Sequence, residues 1–335
     1  MRMLLLSAVL ILVACGPNEE TVAKTPPLDV KLLDKEITLL AERAAPARLE
    51  VAVQNIEGGE MWARNAVQAF PMQSVFKAPL GAAVLAEVDA GRLSLDEVLT
   101  LEDMDLSPPY SPIAAAWPGR ATYTVGELLE RAVSDSDNTA ADVLMRRIGG
   151  PGVLKAWMVD NGITGIRVDR YERELQTEAA GMPSFRPSWR TSAEFGKAWN
   201  ALPEAGRRAA WAAYMEDPRD TATASGALGF LNKLSSGQLL SPASTTRLLK
   251  LMTDTPRGDT RLKAGLPPGA TLAHKPGSSG ENFGITAATN DIGIVTLKDG
   301  RKYAVVVFLS GSTADQAAQD AIIADAMRII ARAAD

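Results

Sequence analysis

The sequence predicts an α+β protein whose antiparallel sheet is assembled from both ends of the chain around a helical middle. Three observations carry this expectation. Apolar–polar alternation marks 49–56 and 61–66 near one end, and 271–277, 284–297 and 302–309 near the other. Helical periodicity dominates between 75 and 253. The turn signals Glu57-Gly58-Gly59-Glu60 and Lys298-Asp299-Gly300-Arg301 join neighbouring strand patterns as hairpins, a connection that serves antiparallel strands. Strands at the ends with helices segregated between them fit an α+β order.

Taken in order, Leu32, Leu33, Ile37, Leu40 and Ala41 give a first helix over 32–44. The 49–66 hairpin follows, then Phe70-Pro71-Met72-Gln73 leads into a helix over 75–90 that stops at Gly91. Pro79 lies early in that helix, where its missing N–H costs least. Ser107 to Pro112 is a loop, and Thr124 and Glu127 have capping-box spacing at the start of a helix over 124–133. Ser134 to Asn138 breaks the helical pattern, which resumes over 139–149 and 153–161. Asp169 to Gln176 is charged and without a clear period, so no element is predicted there. Helices are expected over 191–202, 204–215, 223–235 and 242–253, and a final one over 314–333. No internal repeat is present.

Composition narrows the function classes. The 335 residues are 46% hydrophobic and 22% charged, which suits a globular chain with a sizeable core. A net charge of −5 offers no basic face, so nucleic acid is not an expected partner. One histidine, His274, and one cysteine, Cys15, leave no zinc site of the usual kind, and no metal or cofactor is expected. His274 has no obvious partner in sequence and reads as a strand residue. Arg2 precedes the apolar run 3–13, which ends in Leu12-Val13-Ala14-Cys15. That is the layout of a secretory signal, too short for a stable span, and its last four residues resemble a bacterial lipobox. The expectation is a signal peptide over 1–14, a lipidated Cys15, a tether over 15–30, and a periplasmic, membrane-anchored lipoprotein.

The chemistry starts at Ser74-Val75-Phe76-Lys77. A serine and a lysine three residues apart share one face of a helix, so the amine lies within reach of the hydroxyl it must deprotonate. A helix N-terminus adds a positive field and an N–H for a developing oxyanion. Alone the pair is weak, since about one Ser-x-x-Lys arises by chance in a chain of this length. Ser136-Asp137-Asn138 between two helices and Lys275-Pro276-Gly277 closing a strand complete an ordered set. Singly these read as a helix cap and a strand end.

Together with Glu172 in Arg170-Tyr-Glu-Arg-Glu-Leu-Gln176, Phe70-Pro-Met before the serine and Tyr110-Ser-Pro, the set resembles the class A serine β-lactamases over about 31–335. The resemblance implies a five-stranded antiparallel sheet flanked by helices, plus an all-α subdomain. The α/β part would comprise 31–71 and 255–335, the helical part 72–254, with an Ω loop over 169–220. It also implies hydrolysis of β-lactams by a monomer through a serine acyl-enzyme, with the membrane met only through the lipid. Ser74 would be the nucleophile, Lys77 and Glu172 the candidate bases, Ser136 the proton relay to the leaving nitrogen, and Glu172 the activator of the hydrolytic water. The N–H groups of Ser74 and Ser278 would form the oxyanion hole. Asn138 would bind the substrate's side-chain amide, and Lys275 its carboxylate. Arg170 and Asp220 match a pair that pins the Ω loop, and are read as structural.

Four departures stand out. Gln176 replaces the usual Asn that helps hold the water, and Pro276 removes a hydroxyl and an N–H. Phe283 stands where an arginine is frequent, which points to Arg261 as the substitute carboxylate ligand. The Ω loop is longer by about 35 residues, and its aromatic content predicts a packed helical hairpin over 177–216 that either shapes the substrate mouth or decorates the surface. Tyr110 either stacks on substrate or covers a loop. The rival readings are a penicillin-binding, DD-peptidase-like acyltransferase or slow esterase, and a non-catalytic cell-wall-binding lipoprotein.

Overall fold

The structure is a computed structural model that describes residues 26–335; the signal and Cys15 lie outside the described residues. Helix α1 (Val30–Ala44) starts where the Asp29 carboxylate caps the Leu32 N–H and turns Leu33, Ile37 and Leu40 inward. Strands β1 (Arg48–Asn55) and β2 (Met61–Ala63) form the first hairpin. After β3 (Ala69–Pro71) and a 3-10 turn over Gln73–Phe76, helix α2 (Lys77–Asp89) runs through the interior. Strands β4 (Val98–Thr100) and β5 (Thr122–Thr124) pair around the short helix α3 (Pro112–Ala116).

Helix α4 (Val125–Val133) begins with the expected capping box of Thr124 and Glu127, and α5 (Asn138–Arg147) and α6 (Pro151–Asp160) follow. Helices α7 (Glu172–Ala179), α8 (Ser192–Asn200) and α9 (Glu204–Glu216) lead to β6 (Thr221–Thr223), then α10 (Ala224–Ser235) and α11 (Pro242–Thr253). The chain closes with β7 (Thr271–Ser278), the small hairpin β8 (Glu281–Asn282) and β9 (Ile285–Thr286), then β10 (Thr289–Thr296), β11 (Lys302–Ser310) and α12 (Gln316–Ala333).

The sheet is five-stranded and antiparallel, in the order β2-β1-β11-β10-β7. Both faces are covered. Leu49, Val51 and Val53 of β1, with Val305 and Val307 of β11, pack under α1 and α12. The alternate residues Ala52, Ala304, Val306 and Phe308 face the helical layer, where α10 lies against β1 and β11. Phe70 and Phe308 meet there with ring centroids 5.8 Å apart. Full burial of each contributes about 1.5–3 kcal/mol.

Two sequence expectations are corrected. The 169–176 stretch contains the start of α7, because the Glu174 carboxylate accepts the Tyr171 N–H at that end and the buried residues Glu172, Leu175 and Ala179 face inward. Its polar composition hid the period, since one of the inward residues is itself a carboxylate. The 284–297 strand is interrupted: Phe283 and Gly284 adopt positive φ (55° and 77°) and fold 281–286 into a separate hairpin before β10 begins.

Glu50 is fully buried in β1, with one carboxylate oxygen accepting the Asn65 N–H and the other without a partner. Burial pushes its pKa up to about 7. An acid raised on folding loses stability as pH climbs from its unfolded value near 4.5 through 7, because only the unfolded chain ionises there. Glu50→Gln should therefore raise Tm more at pH 8 than at pH 5, as thermal unfolding at the two pH values would show.

Candidate active site

The nucleophile candidate sits at the junction of sheet and helices. Ser74 lies in the 3-10 turn that precedes α2, not on the α-helix itself, and Lys77 is the first residue of α2. The tighter turn still brings the pair together, since residues three apart eclipse in a 3-10 helix. Lys77 Nζ donates to Ser74 Oγ at 3.0 Å. Gln73, just before, adopts φ 49°, a left-handed conformation uncommon for a side-chain-bearing residue.

The Lys77 side chain has no solvent exposure, and oxygen atoms surround its nitrogen. Besides Ser74 it meets Glu172 Oε1 at 2.9 Å, the Ser136 carbonyl at 2.9 Å and Asn138 Oδ1 at 2.6 Å. Three distant segments thus converge on one charge. Glu172 Oε1 lies 3.5 Å from Ser74 Oγ, while its other oxygen accepts the Gln176 amide at 2.9 Å.

Ser136 is presented by a strained turn, φ 64°, whose following residue Asp137 caps α5. Asp137 is buried and also accepts the Ser111 hydroxyl and the Ile113 N–H, which fixes the 107–113 loop that carries Tyr110. On the opposite wall Lys275 Nζ donates to Ser136 Oγ at 2.9 Å. Complete burial, with the Lys77 charge behind it, holds the Lys275 ammonium well below the ordinary lysine range.

Arg261 lies behind the end of β7. Its guanidinium pairs with Asp320 at 2.9 Å, donates to the Gly277 and Asn290 carbonyls, and reaches Ser278 Oγ at 2.7 Å. The cleft, about 430 Å³, brings together Ser74, Tyr110, Ser136, Asn138, Gln176, Arg261 and Ser278. Tyr110 is 37% exposed at the mouth, where the Arg257 guanidinium covers its ring at 4.4 Å. The residues singled out in sequence from 74 to 278 therefore meet in one place. Among the described residues no group of three His, Cys, Asp or Glu is arranged to hold a metal ion.

Three features escaped the sequence. Asp142, one turn after Asn138 on α5, is buried and accepts the N–H groups of Glu172 and Arg173 and the Ser107 hydroxyl. Burial, with the Glu172 charge nearby, pushes its carboxyl up to about 6. Its i, i+4 relation to Asn138 was the available signal. Tyr214, from α9, accepts a 2.5 Å hydrogen bond from Gln73, whose carbonyl in turn accepts the Gln176 amide at 3.2 Å. His274 does have a partner: Asp291, its neighbour across the sheet interior, lies 2.9 Å from Nδ1.

The ends of the 169–220 segment are clamped. Arg170 pairs with Asp220 at 2.6 Å, and Asp220 also accepts the N–H groups of Asp169 and Arg170. Between those ends lie α8 and α9, which do not form the packed hairpin expected of them: α9 lies against α7, with Trp211 and Tyr214 buried in a small cluster with Leu175 and Ala179, and α8 lies against the 3-10 turn over Pro187–Trp189.

Comparison with known proteins agrees with this geometry. The sequence model of a family described as "Beta-lactamase enzyme family" matches residues 32–334. The chain is 33% identical to β-lactamase VEB-1 of Pseudomonas aeruginosa over 288 residues, 86% of this chain and 85% of that protein. It is 32% identical to the extended-spectrum β-lactamase PER-1 of the same organism over 95% of this chain and 91% of that protein. Among solved structures, an ancestral class A β-lactamase, that of the last common ancestor of Gram-negative bacteria, superposes with a TM-score of 0.72 at 34% identity, covering 90% of this chain and 99% of its own.

Gly277 marks how tightly the cleft is built. A Cβ there would lie 2.5 Å from the Met72 carbonyl oxygen and 3.2 Å from the Val75 nitrogen, so β7 approaches the serine turn only because this residue has no side chain. Gly277→Ala is expected to destabilise the protein by about 1–3 kcal/mol through overpacking; chemical denaturation with the wild type alongside checks it.

Proposed function

This chain belongs to the β-lactamase enzyme family, with class A structural relatives, and hydrolyses β-lactams; we propose the roles its own residues take in that reaction. Ser74 Oγ attacks the lactam carbonyl carbon and its proton passes to the coupled Lys77–Glu172 pair, both of whose charged groups lie within 3.5 Å of it. The N–H groups of Ser74 and Ser278 stabilise the oxyanion. As the C–N bond breaks, Ser136 passes a proton to the leaving nitrogen, supplied from the lysine side, where Lys275 lies 2.9 Å from its hydroxyl. Glu172 then takes a proton from a water that attacks the Ser74 ester, releasing the open-ring acid and regenerating the serine. Asn138 orients the substrate's side-chain amide. Lys275 and Arg261, the latter through Ser278, favour its carboxylate.

The single observation that carries this reading is the buried Lys77–Glu172 contact at 2.9 Å with Ser74 between reach of both. It also separates the hydrolase from a penicillin-binding acyltransferase, which would lack a carboxylate poised to free the acyl group. Mass spectrometry of the protein with a penicillin over time tests it. The wild type should show a transient adduct, Glu172→Gln a persistent one with turnover lowered at least a hundredfold, and Ser74→Ala none. An unmodified Glu172→Gln protein with full turnover would refute the assignment.

We also infer a periplasmic lipoprotein carried by Cys15, supported by the charged start, the apolar run and Leu12-Val13-Ala14-Cys15. Among the described residues no helix is long and apolar enough to cross a membrane, so the lipid would be the attachment. Cys15→Ala should abolish radiolabelled palmitate incorporation and release the protein from the membrane fraction.

A further inference from the structure

One positive charge at the mouth of the cleft has no counterpart in the protein. The cleft lining includes two arginines, Arg257 and Arg261, and no acidic residue. Arg261 is already committed, its guanidinium holding Asp320, two strand carbonyls and Ser278 Oγ. Arg257 is exposed, and among the described residues its side chain pairs with no carboxylate; only its backbone N–H is bonded, to Thr255 Oγ1 at 3.3 Å. The acids beside it in sequence are taken, Asp254 by Lys250 and Asp259 by Lys263. What the guanidinium meets instead is the Tyr110 ring, at 4.4 Å.

The backbone under this free charge is moored on both sides. Thr255 is buried, and its hydroxyl donates at 2.7 Å to the carbonyl of Ser134, just before the Ser136 turn. Gly258 has a left-handed φ of 74° and lies so close to β7 that a Cβ would sit 3.2 Å from the Pro276 ring. Arg257 therefore stands between the Ser136 turn and the strand of Lys275, at the end of the cleft where Lys275 and Arg261 favour the substrate carboxylate. Pro276 offers neither a hydroxyl nor an N–H there, so anions at this end are met by cations and Ser278.

We propose that Arg257 recognises a second anionic group on the substrate, carried by the substituent of the carboxylate-bearing ring. The proposal rests on the reading of Ser74 as the acylated residue and of Lys275 with Arg261 as the groups that favour the first carboxylate. One carboxylate occupies those two cations. A guanidinium left over, in a cleft lined by no acid, complements a further oxyanion, and its planar fork suits a carboxylate or sulfonate. Binding breaks no ion pair, because Arg257 gives up only water and a weak contact with an exposed ring. Its exposure keeps the gain modest and makes it sensitive to salt. Dianionic β-lactams are thereby preferred over otherwise identical ones whose ring substituent is neutral.

The test uses two cephalosporins that share one acylamino group and differ only in the ring substituent, a methyltetrazole thioether in one and a sulfomethyltetrazole thioether in the other. The quantity read is the ratio of kcat/KM for the sulfonate over the neutral compound, since kcat/KM reports the transition state from free enzyme and substrate. Arg257→Gln should lower that ratio about fivefold, the scale of one exposed ion pair. Arg257→Lys, which keeps the charge, should hold it within about twofold of the wild type. Sodium chloride at about 0.5 M should bring the wild-type ratio down toward that of Arg257→Gln, because exposed charges are then screened. An Arg257→Gln ratio that is unchanged or raised, an Arg257→Lys ratio that falls as far as that of Arg257→Gln, or a wild-type ratio indifferent to salt would overturn the assignment. Wild-type acylation of Ser74 by both cephalosporins, read by mass, stands apart: its absence would sink the catalytic reading, whereas its presence with an unmoved ratio sinks only the role of Arg257.

Discussion

One buried ammonium organises this protein. An uncompensated lysine charge in a protein interior costs several kcal/mol, so the fold must bring oxygen atoms to it. Lys77 obtains them from the serine turn, the Ser136 turn, the start of α5 and α7. These oxygens come from three stretches of the chain, at 74, 136–138 and 172. Asp137 caps α5 and pins the facing loop, and Asp142 grips the backbone at the start of α7. The catalytic constellation is thus also a packing solution. Deleting one partner would leave a charge stranded.

The sheet supplies the rigid wall against which this is arranged. Lys275 projects from a strand paired along its whole length with β10, so its position is set by the backbone ladder rather than by a loop. Gly277 lets that strand press against the serine turn, and Arg261 buttresses the strand end through two carbonyls and the Ser278 hydroxyl. The chemistry depends on distances of about 3 Å between groups on separate elements, and these contacts fix them.

Much of this was legible in the sequence because periodicity and motif order speak directly to it. The α4 capping box, the bounds of α11 and the hairpin at Lys298–Arg301 follow from local residue chemistry, and the ordered Ser-x-x-Lys, Ser-Asp-Asn, Glu and Lys-Pro-Gly segments located the site. What was hidden depends on three-dimensional closure. Helix α7 escaped because its inward face carries Glu172, a residue that counts as exposed until its lysine partner is known. Asp142 escaped because its ligands are backbone N–H groups with no signature of their own. The His274–Asp291 contact likewise arises only once β7 and β10 are in register. The strain at Gln73 is likewise a product of tertiary fit.

The clamp between Arg170 and Asp220 has a consequence for how such enzymes diversify. Its two ends are already joined, so lengthening the chain between them adds little closure entropy, roughly 0.6 kcal/mol per doubling. That makes the position a permissive port for new material in evolution or the laboratory. Yet the Tyr214 phenol has reached back to Gln73, beside the nucleophile. The segment is thereby bonded to the turn that carries Ser74, and excising it would remove that contact along with the loop.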